Sequence, residues 1–172
     1  LRGTPFVYYG EEIGMENVAI PEGMLQDPAR KYGHGRDQER TPMQWSRDGG
    51  FTSGAPWLPY GDLSRNVDDE RGDPASLLSL YRRIIWFRRS SDALRFGAYA
   101  PVDGLPAGLY AYTRIDGAGR LLTVLNFTND PISFELPASL RVTGTIIGTH
   151  DLAAPSQAIT LAGNEGRLLR LG

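Results

Sequence analysis

The stretch that indicates the fold is residues 5–12, Pro-Phe-Val-Tyr-Tyr-Gly-Glu-Glu. It begins with an almost continuously apolar run of β-branched and aromatic side chains, which ends at Gly10. Such a run is typical of a strand that is buried on both faces, as in a parallel sheet covered by helices. We therefore predict a β-strand over residues 5–9 within an α/β fold.

Two acids, Glu11 and Glu12, directly follow this predicted strand. Because α/β barrels place their chemistry at the carboxyl ends of their strands, the pair is a candidate for catalytic carboxylates. Adjacent residues on a strand point to opposite faces, however, so the two acids cannot both approach one substrate bond. We expect them to hold the following loop through hydrogen bonds instead.

The composition is that of an ordinary globular protein, and it excludes several classes of function. Hydrophobic residues make up 41% of the chain and charged residues 22%. A net charge of −2 offers no basic surface to a nucleic acid. Since cysteine is absent and the two histidines, His34 and His150, are far apart, we expect no disulfide, no metal site and no cofactor.

The chain also lacks the sequence signals of a membrane or secreted protein. No apolar run approaches the ~20 residues that a membrane-spanning helix requires, so we expect no membrane partner. No signal peptide is visible, and a cytoplasmic location is expected. The chain begins at Leu1 rather than at a methionine, and we interpret it as a segment of a longer protein.

The long stretch from residue 15 to residue 72 shows no sustained helical or strand period, and a loop of this length is usually functional when it is ordered. At its centre, residues 35–45 read Gly-Arg-Asp-Gln-Glu-Arg-Thr-Pro-Met-Gln-Trp. One interpretation is a surface ion-pair loop held by a buried Trp45. The other is a sugar-binding rim, in which the guanidinium forks of Arg36 and Arg40 bind hydroxyls beside an aromatic wall.

A helix is predicted next, with Asp73 as its N-cap and Pro74 in its first turn. Its apolar side chains recur at spacings of three and four and cover more than one side of the helix. This set comprises Leu77, Leu78, Leu80, Tyr81, Ile84, Ile85, Trp86 and Phe87. Because little before Asp73 could cover so large a surface, we expect its partner to be the remainder of a barrel.

From residue 95 to residue 172 the pattern changes to short alternating runs separated by turns. The runs lie at residues 96–100, 109–115, 121–127, 133–136, 144–149, 158–161 and 167–171. This spacing predicts an antiparallel sandwich of about seven or eight strands. We therefore predict two domains, at residues 1–94 and 95–172. The second contains no catalytic constellation, and His150-Asp151 is expected to be a turn.

Two stretches resemble a known family. Residues 3–15 resemble the eighth barrel strand and following turn of the α-amylase superfamily, glycoside hydrolase family 13. Residues 35–45 resemble the signature loop of its α-glucosidase branch, which also includes oligo-1,6-glucosidases, sucrose isomerases and trehalose synthases. The resemblance covers residues 3 to about 100, and beyond them only the position and the β-rich pattern match the family's C-terminal domain.

The resemblance implies the last β-strand, a long loop and the last helix of a (β/α)8 TIM barrel, followed by an antiparallel β-sandwich domain. It also implies retaining hydrolysis by acids that precede the eighth strand, so we expect no catalytic residue in this chain. Arg36 is expected to pair with an acid from early in the barrel, outside this sequence, and to hold hydroxyls of a terminal glucose. Arg40 would contact a neighbouring subsite or brace the loop, and Asp37 completes the substrate-binding set, with Glu39 and Asp37 orienting the arginines.

The resulting hypothesis is a segment of a retaining α-glucosidase that removes terminal α-linked glucose from oligosaccharides. Its expected partners are an oligosaccharide or α-glucoside substrate and the N-terminal remainder of the same barrel. One alternative is a transglycosylating relative, such as a trehalose synthase or a sucrose isomerase. Another is a non-catalytic barrel homologue that serves as a transporter subunit or sugar-binding module.

Overall fold

The computed structural model describes residues 1–33, 35–117, 119–150 and 154–172, which form two compact units. One unit is Pro5–Arg82, and the other comprises Leu1–Thr4 and Arg83–Gly172. The division falls within a helix, at a different place from the domain boundary that the sequence predicts. The assignment of residues 1–94 and 95–172 to two domains therefore stays a prediction.

The Pro5–Arg82 unit is mostly irregular and contains short helical turns, as expected for a stretch without a sustained period. Its 3-10 helices are Glu11–Ile13, Glu22–Met24, Pro28–Tyr32 and Asp37–Arg40, and its first α-helix, α1, is Val67–Arg71. The second α-helix, α2, is Leu77–Ser90 and continues into the other unit. A small core of Ile13, Met43 and Val67 holds the turns together.

The predicted strand over residues 5–9 is wrong for this structure. None of these residues is in a strand, and Phe6 is 92% exposed. A strand exists only when its backbone groups bond to a neighbour, and no described residue pairs with this stretch to form a ladder. The side-chain pattern of residues 5–9 is typical of a buried strand, but no described residues cover this stretch.

Helix α2 begins three residues later than predicted. The Ser76 hydroxyl oxygen accepts a hydrogen bond from the Ser79 backbone N–H at 3.1 Å, which is the bond that defines an N-cap. Asp73 instead closes the preceding turn, because its carboxylate accepts from the Ala75 N–H at 2.8 Å. Both residue types favour caps, so the pattern alone could not decide between them.

The apolar face of α2 is largely exposed. No residue of this helix is buried, and Trp86 is 59% exposed. Leu77, Ile84 and Ile85 are also exposed. An apolar surface of this kind on a helix usually packs against another part of a protein. The expectation that the remainder of a barrel covers it stays a prediction.

The second unit contains a short helix, α3 (Asp92–Arg95), and seven strands close to the predicted runs. They are β1 (Ala98–Pro101), β2 (Leu109–Ile115), β3 (Arg120–Asn126), β4 (Ile132–Glu135), β5 (Val142–Gly148), β6 (Ala158–Leu161) and β7 (Gly166–Leu171). Five of them form an antiparallel sheet in the order β1-β2-β3-β7-β5, and β4 pairs with β6. One hydrophobic core contains residues of both sheets, including Leu122, Phe134 and Leu161.

Two buried polar side chains stabilise this unit through carbonyl oxygens. The guanidinium of Arg114 on β2 donates to the carbonyls of Leu1 and Gly97, and its burial lowers the pKa of Arg114. Asn126 at the end of β3 uses its amide group to donate to the carbonyls of Asp130 and Ala162, at 2.9 and 2.8 Å. Because every buried polar group requires a partner, these bonds fix the ends of the strands.

None of the helices among the described residues is long and apolar enough to cross a membrane.

We predict that Leu122→Ala destabilises the strand-rich unit by about 2–5 kcal/mol, because the substitution leaves a cavity in a closely packed core. Leu122 is fully buried between the sheets. The exposed Thr160→Ala is the matched control in the same unit and should change the free energy of unfolding by less than about 1 kcal/mol, because it removes only an exposed bond to the Ser133 hydroxyl. Urea unfolding followed by circular dichroism measures both values, and equal effects would contradict the assigned core.

The position of the N-cap gives a second prediction. Ser76→Ala should destabilise the protein by about 1 kcal/mol, because the Ser79 amide loses its hydrogen-bond acceptor. Asp73→Ala should cost less, since it removes only a turn bond to Ala75. The same urea titration ranks the two variants, and a larger loss for Asp73→Ala would place the cap where the sequence pattern suggested.

Candidate functional site

The charged loop, residues 35–45, has one part that is anchored in the unit and another that is accessible to solvent. Residues 41–44 are buried, and Met43 belongs to the core of its unit. The Gln44 side chain donates to the carbonyls of Asp62 and Arg65 and accepts from the Gly61 N–H. The interpretation with a buried Trp45 as the anchor is therefore wrong, since Trp45 is 45% exposed and its neighbours hold the loop.

A shielded carboxylate, that of Asp27, joins the two arginines of the loop. Its side chain is fully inaccessible to solvent, and Oδ2 lies 2.7 Å from Nε of Arg36. Oδ1 accepts a second bond from Nη2 of Arg36 at 3.2 Å, so the pair is bidentate. Nη1 of Arg40 lies 3.7 Å from Oδ2 of the same carboxylate.

This geometry gives Arg36 a carboxylate partner, Asp27, from within the chain. The expectation that Arg36 also pairs with an acid outside this sequence stays a prediction. The Arg36 side chain is 54% exposed. Arg40 is 42% exposed, so both arginines keep surface that a ligand can reach.

The hydrogen bonds of the cluster keep both partners ionised. The bond from Arg36, together with the bond from the Ala29 backbone N–H, holds the pKa of the Asp27 carboxyl well below its usual range. The same contact with Asp27 raises the pKa of Arg36. Both groups therefore stay charged throughout the neutral range.

Asp37 lies beneath the backbone rather than on the accessible side of the loop. It is 2% exposed, and its carboxylate accepts from the backbone N–H groups of Gln26 and Asp27 at 3.0–3.2 Å. Asp37 thus fixes the backbone of the residue that holds Arg36. The adjacent Glu39 is exposed within the Asp37–Arg40 helix.

Asp27 is the residue of this cluster that the sequence analysis did not assign to the site. A local signal was present, because Asp27-Pro28 is the usual start of a helix, and Asp27 does cap the 3-10 helix Pro28–Tyr32. That signal predicts a cap, however, and not a partner for an arginine nine residues later. Only the folded loop brings the carboxylate to Arg36.

An aromatic cleft adjoins the loop within the same unit. Its volume is about 400 Å³, which lies within the range of ordinary ligand pockets. The lining residues are Tyr9, Glu12, Arg40, Thr41, Pro42, Met43, Trp45, Phe51 and Trp57. Four exposed aromatic rings and one guanidinium therefore line the same space.

The acids after the predicted strand have the structural role that was expected of them. The Glu12 carboxylate accepts from the Gly10 backbone N–H at 2.7 Å, and that of Glu11 accepts from the Tyr8 N–H at 3.3 Å. The Tyr9 hydroxyl donates to the Thr41 carbonyl at 3.0 Å, and burial raises the pKa of Tyr9. The two glutamate bonds hold the turn itself, and the Tyr9 bond fastens it to the loop.

The histidines do not form a site in the described part of the chain. His34 lies outside the described residues, and so does Asp151 of the expected His150-Asp151 turn. Nδ1 of His150 lies 3.0 Å from the Thr149 hydroxyl. Among the described residues, no group of three or more histidine, aspartate or glutamate side chains could hold a metal ion.

Comparison with known proteins gives consistent matches. The family model for the alpha-amylase catalytic domain matches residues 1–97. The chain is 34% identical to an oligo-1,6-glucosidase of Parageobacillus thermoglucosidasius, over 80% of this chain and 29% of that protein. It is 29% identical to an oligo-1,6-glucosidase of Bacillus cereus, over 99% of this chain and 36% of that protein.

A solved structure shows the same similarity over nearly the whole chain. The isomaltulose synthase of Klebsiella sp. LX3 superposes with a TM-score of 0.87 at 29% identity, covering 99% of this chain and 36% of that one. The chain therefore spans between 29% and 36% of the length of these relatives.

The lowered pKa of Asp27 predicts that the ion pair loses its contribution to stability on acidification. In the unfolded chain the carboxyl takes up its proton near the ordinary value of 3.8, whereas in the folded chain it stays ionised at lower pH. The contribution is therefore complete above about pH 5 and is lost as the pH falls through and below the ordinary pKa. Asp27→Asn removes this titrating carboxyl. The free energy of unfolding of the variant should therefore fall less steeply with decreasing pH than that of the wild type.

Chemical unfolding at a series of pH values from roughly 6 down to 2.5 measures this difference in slope. Parallel curves for the wild type and Asp27→Asn would contradict the assigned ion pair.

Proposed function

The chain belongs to the α-amylase family, glycoside hydrolase family 13, and on that premise we propose that it is the C-terminal part of a retaining α-glucosidase. The whole enzyme would remove terminal α-linked glucose from short oligosaccharides. The match of residues 1–97 to the family's catalytic domain and the similarity to oligo-1,6-glucosidases support this proposal.

In this proposal, residues 1–94 supply the substrate loop and the last helix of a (β/α)8 barrel, and residues 95–172 form a β-sandwich domain. Residues 5–9, which form no strand in this structure, would become the last barrel strand only when they pair with the remainder of the barrel. The remainder of the barrel would precede this chain and cover the exposed apolar side chains of residues 5–9 and of α2. The antiparallel sheets with a shared core support the assignment of the sandwich.

The observation that carries the proposal is the half-exposed guanidinium of Arg40 in an aromatic cleft, with Arg36 held on the same carboxylate. Arg40 lines the cleft together with Trp45, Phe51 and Trp57, which supply flat apolar walls, and Asp27 binds both arginines. Sugar rings combine hydroxyls with apolar C–H faces, so donors beside aromatic rings match their chemistry. We assign substrate contact to Arg36 and Arg40, and assign Asp37 to the same site as the residue that supports Asp27.

In this proposal, the residues that cleave the glycosidic bond belong to the remainder of the barrel. In retaining glycosidases one carboxylate attacks the anomeric carbon and a second acid protonates the leaving oxygen, with the two groups about 5–5.5 Å apart. The resemblance places these acids before the eighth strand. The residues of this chain would bind and orient the terminal sugar, which lowers the barrier through proximity and orientation.

A transglycosylating enzyme is the second candidate, because a solved structure with the same fold over this chain is an isomaltulose synthase. Hydrolases and such enzymes share the formation of a glycosyl-enzyme and differ in how well they exclude water from it. Product analysis with maltose, isomaltose, sucrose and trehalose distinguishes the two: free glucose indicates hydrolysis, and an isomeric disaccharide indicates transfer.

We predict that Arg36→Ala in the full-length enzyme lowers kcat/KM for small α-glucosides by about tenfold to a hundredfold, because charged hydrogen bonds to the sugar are lost. The matched control is Arg47→Ala, since Arg47 also binds an aspartate, Asp69, at 2.8 Å but is 80% exposed. Steady-state kinetics of both variants measure the effect. Wild-type kinetics for Arg36→Ala would remove the assignment of the sugar-binding site.

A further inference from the structure

The contact between Asp27 and Arg36 uses only one edge of the guanidinium. A guanidinium carries five N–H donors in a planar fork. The carboxylate accepts from Nε and from Nη2, at 2.7 and 3.2 Å. The two donors of Nη1 and the second donor of Nη2 are not used in this contact, so with respect to the described residues one complete edge of the fork remains available. That edge belongs to a side chain that is half exposed.

The carboxylate itself is held from several directions. Besides the Arg36 side chain, Asp27 accepts from the backbone N–H groups of Arg36 and Ala29, at 3.1 and 2.9 Å. Its own backbone N–H is bound by Asp37. Because its side chain is fully shielded from solvent, water cannot easily replace these bonds. Asp27 is therefore a fixed support, and the guanidinium takes its orientation from it.

The ion pair Arg47–Asp69 in the same unit lacks a shielded carboxylate. The Arg47–Asp69 pair has a similar distance, 2.8 Å, but its side chains are 80% and 37% exposed. Exposed pairs of this kind contribute little and rarely hold one geometry, because solvent competes for both partners. The shielded carboxylate therefore distinguishes the loop of Arg36 from an ordinary surface ion pair.

We propose that Asp27 is a positioning residue for substrate binding: it fixes the Arg36 fork so that the Nη1–Nη2 edge points toward two adjacent hydroxyls of a terminal glucosyl unit. This inference rests on the proposed function of the loop. Arg40, 3.7 Å from the same carboxylate, is held beside it as a second donor group.

The test uses four variants of the full-length enzyme: Asp27→Asn, Arg36→Ala, the double variant and Asp69→Asn as the matched control. Asparagine has the shape of aspartate but turns an N–H group toward one arm of the fork, which disturbs the bidentate contact. We expect Asp27→Asn to lower kcat/KM by about tenfold, the order of one charged hydrogen bond. We expect the control to retain wild-type kinetics.

The double variant separates positioning from an independent role. If Asp27 acts through Arg36, then Asp27→Asn combined with Arg36→Ala should be no slower than Arg36→Ala alone. Multiplying effects would overturn the inference. All rates are expressed per folded enzyme, determined from the thermal unfolding profile, and a loss explained entirely by a smaller folded fraction would also overturn it.

Asp27→Glu provides a second measurement that keeps the negative charge. The extra methylene displaces the carboxylate, so the fork should be rotated away from its position and kcat/KM should again fall, while the ion pair survives. Wild-type kinetics in both Asp27 variants, with a slow Arg36→Ala, would overturn the positioning role and leave the proposed function intact. Wild-type kinetics in Arg36→Ala would overturn both.

Discussion

The shielded Asp27 carboxylate is the constraint on which the candidate site depends. It binds one arginine through two hydrogen bonds, lies close to a second, and caps a turn of helix. Its own backbone is held by Asp37. A loop rich in glycine and proline has little regular structure to order it, so a few strong, solvent-protected bonds perform that task. The geometry of the two arginines follows from this one anchor.

Features set by local chemistry were predictable from the sequence, and features set by distant neighbours were not. The seven strands of the second unit appeared near their predicted positions, because alternation and turn residues act within a few positions. Residues 5–9 have the side chains of a buried strand but lack a described neighbour to pair with. The cap of α2 moved to Ser76 since two suitable residues competed locally.

The candidate site also combines features that local sequence predicts with features that depend on distant residues. Arg36, Arg40 and Asp37 could be named because their spacing resembles a family signature, and the structure brings all three around Asp27. Their individual environments could not be read from spacing. Asp37 is buried under the backbone, whereas Arg36 is half exposed and finds its acid within the chain. A contact between residues nine positions apart in an irregular loop depends on the whole path of the backbone, which no periodic pattern encodes.

The buried amide of Asn126 has a consequence for the covalent chemistry of the chain. Residues 126–128 read Asn-Phe-Thr, which is the acceptor sequence for N-linked glycosylation. The nitrogen that would carry the glycan already donates to two carbonyls, and the residue is 3% exposed. The Thr128 hydroxyl, which the acceptor sequence also requires, donates to the Asn126 side chain. Folding therefore closes this acceptor, and only an unfolded chain would present it to a glycosyltransferase.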